Sequence, residues 1–387
     1  MHRRVLSAFF FCMALLTWLL HNASLIVFAK PPSAVDDFPA VSAQGAILLE
    51  ASGNHVIYEK NAHVRLPMAS TTKIMTAIVA IEYGNPTMQV TIPAAAVGIE
   101  GSSIYLYEGE ILTLEHLLYA LLLESANDAA VAIAIAVAGN VEAFVDLMNQ
   151  KAHSLGLRNT HFVNPHGLDH DEHYTTASDL ASLARYCMQN DLFRTIVSTQ
   201  RMTIPLNDQE GARLLLNHNR LLRSYEGTIG LKTGFTKRSG RCLVSAAQRD
   251  GIMLISVTLN APDDWDDHRN MFDYGFSQYT SVLLQSAGTY ARTIPLIGND
   301  QDSVNISNRN EIRVILPQTH GEIHMYCHAP RWMSGAISEG AMLGQLIYEC
   351  DGEIIAIEPL LTQSSSTPLY TKIPWWKRLL LFFTEQF

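Results

Sequence analysis

The chain is poor in charge. Only 17% of its 387 residues are Asp, Glu, Lys or Arg, and 27 basic residues face 37 acidic ones, a formal net charge of −10. That shortage of positive charge excludes nucleic acid as the main partner, because phosphate binding needs a basic surface. Long apolar runs are equally scarce. The one present lies at the extreme N-terminus, which excludes a multi-span membrane protein. Cysteine is sparse, with five residues and no CxxC spacing, so neither a zinc site nor a dithiol redox motif is indicated. No HExxH string and no internal repeat are present. What the chain has is apolar material: 48% hydrophobic residues supply an ample core and exclude a disordered, collagen-like or coiled-coil chain.

The two ends differ from the rest. Arg3 and Arg4 precede an apolar stretch, Val5 to Leu20, and Val27-Phe28-Ala29 fits a small-residue cleavage rule. Residues 1–29 therefore read as a secretory signal, and the protein is expected to be exported. Cys12 leaves with the signal. Cys187, Cys242, Cys327 and Cys350 remain, and Cys327 and Cys350 fall in the same C-terminal segment, where pairing is open. At the other end, after a Ser-rich stretch at Gln363 to Thr367, Trp376, Leu380, Phe383 and Phe387 share one helical face, with Lys377 and Arg378 left for water. A helix over 374–387 is about 21 Å long, too short for a ~30 Å hydrocarbon core. It is expected to lie on the membrane surface as an amphipathic anchor.

Between the ends, Ala46 to Lys60 reads as a hairpin. Helical patterns follow at Ser70–Tyr83, Leu112–Glu124, Asp128–Ala138, Val141–Leu155 and Ala177–Gln189. Gly227–Phe235 then reads as a strand, Cys242–Ala247 and Met253–Leu259 as a second hairpin, and Asp264–Tyr279 as a helix. Strands bracketing a helical middle predict an α+β domain over 30–285, one antiparallel sheet built from distant segments with helices packed beside it. From about residue 286 short alternating runs predict a small all-β domain over 286–362, followed by a linker and the anchor over 363–387.

Three short strings carry chemistry. Ser70-Thr71-Thr72-Lys73 puts a hydroxyl and an amine three residues apart at a helix start, on one face and beside free backbone N–H groups. Ser125-Ala126-Asn127 sits between two helices, and Lys232-Thr233-Gly234 lies on a strand, where a Gly often marks close approach of a ligand or backbone. Each string alone is common, and each has a plain structural reading as a cap or an edge strand. Their order and spacing are not common: Lys73 to Ser125 is 52 residues and Asn127 to Lys232 is 105.

On these strings the sequence resembles the penicillin-recognising serine enzymes, and within them the low-molecular-mass D-alanyl-D-alanine carboxypeptidases. Glu100-Gly101-Ser102-Ser103-Ile104-Tyr105-Leu106, Asn164-Pro165-His166-Gly167-Leu168 and Asn217 to Leu222 extend the resemblance. Asp264-Trp265-Asp266-Asp267-His268 is similar to the sporulation-type members of endospore-forming Gram-positive bacteria.

The resemblance implies a β-lactamase-like fold and roles for individual residues. Ser70 is the expected nucleophile and Lys73 its general base, unprotonated through burial and the nearby Lys232 cation. Ser125 relays a proton to the leaving amine and Asn127 orients Lys73 and the substrate. Lys232, Thr233 and Gly234 hold the terminal carboxylate. The backbone N–H groups of Ser70 and Phe235 form the oxyanion hole. Phe235 departs from the small polar or His residue often found after KTG in relatives. The implied substrates are peptidoglycan stem peptides ending in D-Ala-D-Ala, with β-lactams as inhibitors and no cofactor. A D,D-endopeptidase, a β-lactamase or an inert wall-binding protein are the alternatives. The cluster His166, Asp169, His170, Asp171, Glu172 and His173 reads as a polar surface loop rather than a metal site, because Pro165 and Gly167 break any helix presenting two His.

Overall fold

The computed structural model describes residues 38–206 and 211–369, and the chain divides into two compact units, one spanning Ser33–Gln278 and one beginning at Tyr279. The signal at 1–29 and the anchor at 374–387 lie outside the described residues.

In chain order the strands of the first unit are β1 (Gly45–Glu50), β2 (His55–Lys60), β3 (Gln89–Thr91), β4 (Ile111–Thr113), β5 (Arg201–Pro205), β6 (Ala212–Leu216), β7 (Thr228–Thr236), β8 (Gly240–Arg249) and β9 (Ile252–Leu259). The main sheet runs β2-β1-β9-β8-β7 and is antiparallel throughout, so the N-terminal hairpin docks against the C-terminal meander as the bracketing pattern predicts. β1 is buried at every residue, whereas β2 is half-exposed at the sheet edge. β7 forms the opposite edge, and one side of its backbone has no strand partner among the described residues.

The helical middle is the core of this unit. Lys73–Tyr83, Leu114–Leu123 and Asn127–Ala138 are buried along most of their length, which is why the last reads as apolar all round. Thr113, Asn140, Thr176 and Asn190 cap four of the helices by accepting from N–H groups three residues on. Helix Asp264–Gln278 covers the sheet. A Cβ at its Gly275 would lie 2.6 Å from Leu254 Cδ1, so only glycine lets helix and strand approach this closely.

Sequence pattern misses several elements here, among them the helix Asp191–Ser198, the β3–β4 pair and the β5–β6 hairpin. The hairpin buries only Ile204 and Leu215, too few for a visible alternation.

The second unit adds β10 (Tyr279–Gln285), β11 (Ala291–Pro295), β12 (Ser303–Asn308), β13 (Ile312–Pro317), β14 (Ile323–His328), β15 (Met342–Cys350) and β16 (Glu353–Thr362). Five strands form a sheet in the order β11-β12-β16-β15-β14, and β10 pairs with β13. The division therefore falls earlier than the change of texture at 286, because Tyr279–Gln285 is already a strand of this unit. Its core is apolar, with Ile294, Ile306, Leu346, Ile355 and Leu360 fully buried. The Ser-rich stretch read as linker is tied down instead. Thr367 donates from both N and Oγ1 to the Asp300 carboxylate (2.9 and 2.7 Å), and Ser366 Oγ donates to the same group at 2.8 Å. All four described cysteines are free. Cys350 stands opposite Ile323 and Cys327 opposite Leu346, which sets the two thiols about 13 Å apart along the hairpin at ~3.3 Å per residue.

Candidate active site

Ser70 sits in a 3-10 turn, Ala69–Thr72, that feeds the Lys73–Tyr83 helix, rather than in the helix proper. A 3-10 turn nearly eclipses residues i and i+3. Lys73 Nζ consequently lies 2.9 Å from Ser70 Oγ. The same amine reaches Asn127 Oδ1 at 2.7 Å and the His166 carbonyl at 2.5 Å. Lys73 is fully buried, and its pKa is pushed well below the ordinary lysine value, first by desolvation and then by Lys232, with Asp128 acting the other way. The amine that the sequence requires to be unprotonated is thus held in a place that disfavours its charge.

Asn127 opens the Asn127–Ala138 helix and is clamped by the Glu100–Ser103 segment. Its N–H donates to Ser102 O at 2.7 Å, and its Nδ2 donates to Glu100 O at 2.5 Å. Gly101 (φ +95°) permits this, since a Cβ there would stand 2.7 Å from Asn127 Nδ2. Asp128, also buried, accepts from Ser103 Oγ at 2.6 Å and from Leu106 N at 3.0 Å. Ser125 lies in the break between two helices with φ +62°, a left-handed conformation that costs a serine on the order of 1 kcal/mol or more. Its side chain faces the same cleft as Ser70.

Lys232, Thr233 and Gly234 lie on edge strand β7. A Cβ at Gly234 would be 3.0 Å from the Ser70 amide nitrogen, so this glycine lets the strand run against the Ser70 turn. Lys232 is buried, and its Nζ donates to Thr233 O at 3.0 Å. Desolvation lowers its pKa to about 7, opposed by the Glu124 carboxylate. Burial thus disfavours the ammonium form of Lys232, and Glu124 supports it.

A cleft of about 350 Å³ opens over these residues, lined by Ser70, Ser102, Ser125, Thr233, Gly234 and Phe235, with His218, Arg220, Arg241, Asp264 and Trp265 completing the wall. Phe235 is 66% exposed and forms part of the rim. Asp264 accepts two hydrogen bonds from Arg241, at 2.9 and 2.7 Å.

Sequence reasoning missed two groups beside Lys232. Glu124 immediately precedes the Ser125 string, accepts from Leu216 N at 2.5 Å and stands 3.2 Å from His218 Nε2. His218 belongs to the Asn217–Leu222 stretch, but the fold is needed to set it on the cleft wall. The β5–β6 hairpin that carries Leu216 is fixed by Arg213, which pairs with buried Glu110 and donates to Ile104 O at 2.9 Å.

Of the His166–His173 run, Asp169, His170, Asp171 and Glu172 are exposed, as a polar surface loop requires, and its two end histidines are the exception. His166 and His173 turn inward and His173 is buried, while Asp169 accepts from Thr236 Oγ1 at 3.0 Å and Asp171 pairs with Arg238 at 2.8 Å. Burial and the neighbouring Lys73 lower the His166 pKa to about 4. Among the described residues no group of three or more His, Cys, Asp or Glu side chains is arranged to hold a metal ion.

Residues 32–263 match the D-alanyl-D-alanine carboxypeptidase family. The chain belongs to that family. It is 31% identical over 361 residues to the D-alanyl-D-alanine carboxypeptidase DacF of Bacillus subtilis, covering 89% of this chain and 92% of that protein. It is 29% identical to DacC of Escherichia coli, over 89% and 90% of the two chains. Among solved structures it is similar to penicillin-binding protein 5 of Haemophilus influenzae, at a TM-score of 0.66 and 25% identity over 86% of this chain and all of that one. The carboxypeptidase DacD of Francisella tularensis gives a TM-score of 0.62 at 26% identity, over 88% and 97%. Like these relatives the chain is a low-molecular-mass penicillin-binding protein and a serine peptidase, in a mixed helix and antiparallel-sheet fold.

Proposed function

We propose that the chain removes the terminal D-alanine from peptidoglycan stem peptides through an acyl-enzyme on Ser70. The observation that carries this reading is the buried amine of Lys73, 2.9 Å from Ser70 Oγ, held by Asn127 and the His166 carbonyl in surroundings that disfavour its charge. Neutral Lys73 takes the Ser70 proton as Oγ bonds to the carbonyl carbon of the penultimate D-Ala. The backbone N–H groups of Ser70 and Phe235 receive the oxyanion, each donor worth about 3–4 kcal/mol. As the C–N bond breaks, Ser125 passes a proton to the departing amine. Water, deprotonated by Lys73, then releases the peptide. Lys232 and Thr233 hold the free carboxylate of the terminal residue, which makes the enzyme an exopeptidase.

A carboxypeptidase is favoured over a β-lactamase by one feature of the cleft. Asp264, the carboxylate among its described lining residues, is occupied by Arg241 and is no free base for rapid deacylation. Export by the segment 1–29, attachment to the outer face of the cytoplasmic membrane through 374–387 and use during sporulation belong to the same reading. They are supported by the sequence patterns at the two ends and at Asp264–His268.

The test is to offer the enzyme an acyl-D-Ala-D-Ala peptide, a cross-linked muropeptide and a chromogenic β-lactam. Free D-alanine from the first, slow acylation without turnover by the last, and loss of both in Ser70→Ala are expected. Cleavage of cross-links in preference to the linear peptide, rapid β-lactam turnover, or labelling that survives Ser70→Ala would overturn the reading.

A further inference from the structure

His173 takes no part in the chemistry above, yet it is one of the more deeply buried polar groups beside it, at 3% exposure. Its hydrogen bonds define its tautomer. Val163 N–H donates to Nδ1 at 3.1 Å, so Nδ1 carries no proton and Nε2 does. Nε2 lies 2.7 Å from Thr72 Oγ1. Thr72 Oγ1 has one proton and gives it to the Ala69 carbonyl, also at 2.7 Å. The relay therefore runs one way: Val163 N–H to His173, His173 Nε2–H to Thr72, Thr72 O–H to Ala69 O.

Its end point is the residue before Ser70. Ala69 has φ +46°, a left-handed conformation that alanine avoids at a cost of roughly 1 kcal/mol or more. Gly167 closes over the same carbonyl: a Cβ there would lie 2.0 Å from Ala69 O and 2.9 Å from Thr72 Oγ1, so nothing larger than glycine fits. The edge of the Phe162 ring covers the imidazole, with ring centroids 5.8 Å apart. Burial holds the His173 pKa at about 3, with His166, His161, His170 and Lys73 contributing in the same direction, so the neutral tautomer persists across the working pH range. Were Nε2 an acceptor instead, the single Thr72 proton would turn to it. Ala69 O would then lose its hydroxyl donor, and with it one of the ties that hold the strained turn.

We propose that His173 is a positioning residue, which fixes the direction of the Thr72 hydroxyl and thereby holds the Ala69–Ser70 turn in the conformation that sets Ser70 Oγ against Lys73. The proposal rests on Ser70 being the nucleophile and adds a reason for its placement.

The experiment compares Thr72→Val, His173→Leu, their combination and His173→Gln with the parent enzyme. It reads kcat and KM on an acyl-D-Ala-D-Ala peptide, the acylation rate by a fluorescent penicillin, and Tm. Thr72→Val and His173→Leu are each expected to lower kcat and acylation by about ten- to a hundredfold with KM within about twofold. The double variant should be no slower than the slower single one, since both break one chain. Gln can accept from Val163 with Oε1 and donate to Thr72 with Nε2, so His173→Gln should recover most of the rate. Thr72→Val at the parent rate, losses confined to KM or Tm, losses that multiply in the double variant, or a Gln variant no better than Leu would each overturn it. Should His173→Leu fail to fold, the near-isosteric Thr72→Val and the Gln variant decide. Ser70→Ala, run alongside, separates the two ideas: labelling that survives it fails the nucleophile assignment, whereas its loss beside an unimpaired Thr72→Val fails the relay alone.

Discussion

The two units bury different things. The second unit closes over Ile, Val and Leu, and its described buried polar residues are Asn299, Asn308, Glu358, Thr362 and Ser366. The first buries two lysines, Lys73 and Lys232, with Asp128, Glu110, His173 and His268. Backbone strain divides the same way. Among the described residues, positive φ at a residue other than Gly, Asn or Asp occurs at Ala69, Tyr105 and Ser125, all in the first unit. Ala69 precedes Ser70, Ser125 lines the cleft, and Tyr105 follows the segment that clamps Asn127. Buried charge and left-handed alanine or serine both lower stability, so a fold retains them where they serve a purpose. The contrast locates chemistry without reference to any motif.

The harshest way to break that contrast is to replace a buried charge by apolar bulk. Lys73→Met removes the proposed base and leaves Asn127 Oδ1 and the His166 carbonyl without their donor. Acylation by penicillin and D-alanine release are expected to fall by about a thousandfold or more, near the upper range for general-base catalysis. Each orphaned buried acceptor should cost roughly 1–3 kcal/mol of stability. A Lys73→Met enzyme acylated at the parent rate would show that burial of this amine is incidental.

A milder perturbation tests the second lysine. Lys232 has a pKa of about 7 in the free protein and must be protonated to hold a carboxylate. kcat/KM reports free-enzyme ionisations, so it should fall as pH rises through that value. Glu124 is the group that favours the charged form. In Glu124→Gln that support is lost, the Lys232 pKa moves further down, and the alkaline limb of kcat/KM moves to lower pH. At pH 8 the variant should lose several-fold in kcat/KM, mainly through KM, and less at pH 6. A limb unmoved, or moved upward, would remove Glu124 from the account of substrate binding.

How far the sequence reaches follows from the same contrast. Ser70, Lys73, Ser125, Asn127 and Lys232 are legible because each belongs to a short string whose internal spacing is set by one turn of chain. β8 and β9 are legible because alternating apolar residues flank Asp250-Gly251. Glu124, His218 and His173 are not, since each matters through a partner brought close only by folding: Glu124 through Lys232, and His173 through Thr72, 101 residues away. His173 is hidden further by its polar neighbours, which make the stretch look like surface. The left-handed Ala69 leaves no trace in residue type at all. Burial of the lysines is likewise a property of the assembled core, and it is what lowers both of their pKa values.

The gentlest prediction concerns the apolar unit. Leu346 is fully buried in β15, opposite Cys327 and Glu358 on the neighbouring strands. Leu346→Ala removes buried methyl groups and leaves a cavity, a loss of about 2–5 kcal/mol. It belongs to the unit that begins at Tyr279, whereas the candidate site residues belong to the other, and effects at separate sites tend to add without coupling. The acylation rate of the folded enzyme is therefore expected to stay within about twofold of the parent, while the melting of the β unit shifts downward. A large fall in acylation rate at a temperature where the variant is still folded would mean that the apolar unit shapes the cleft. In that case the division of labour drawn from what the two units bury would have to be abandoned.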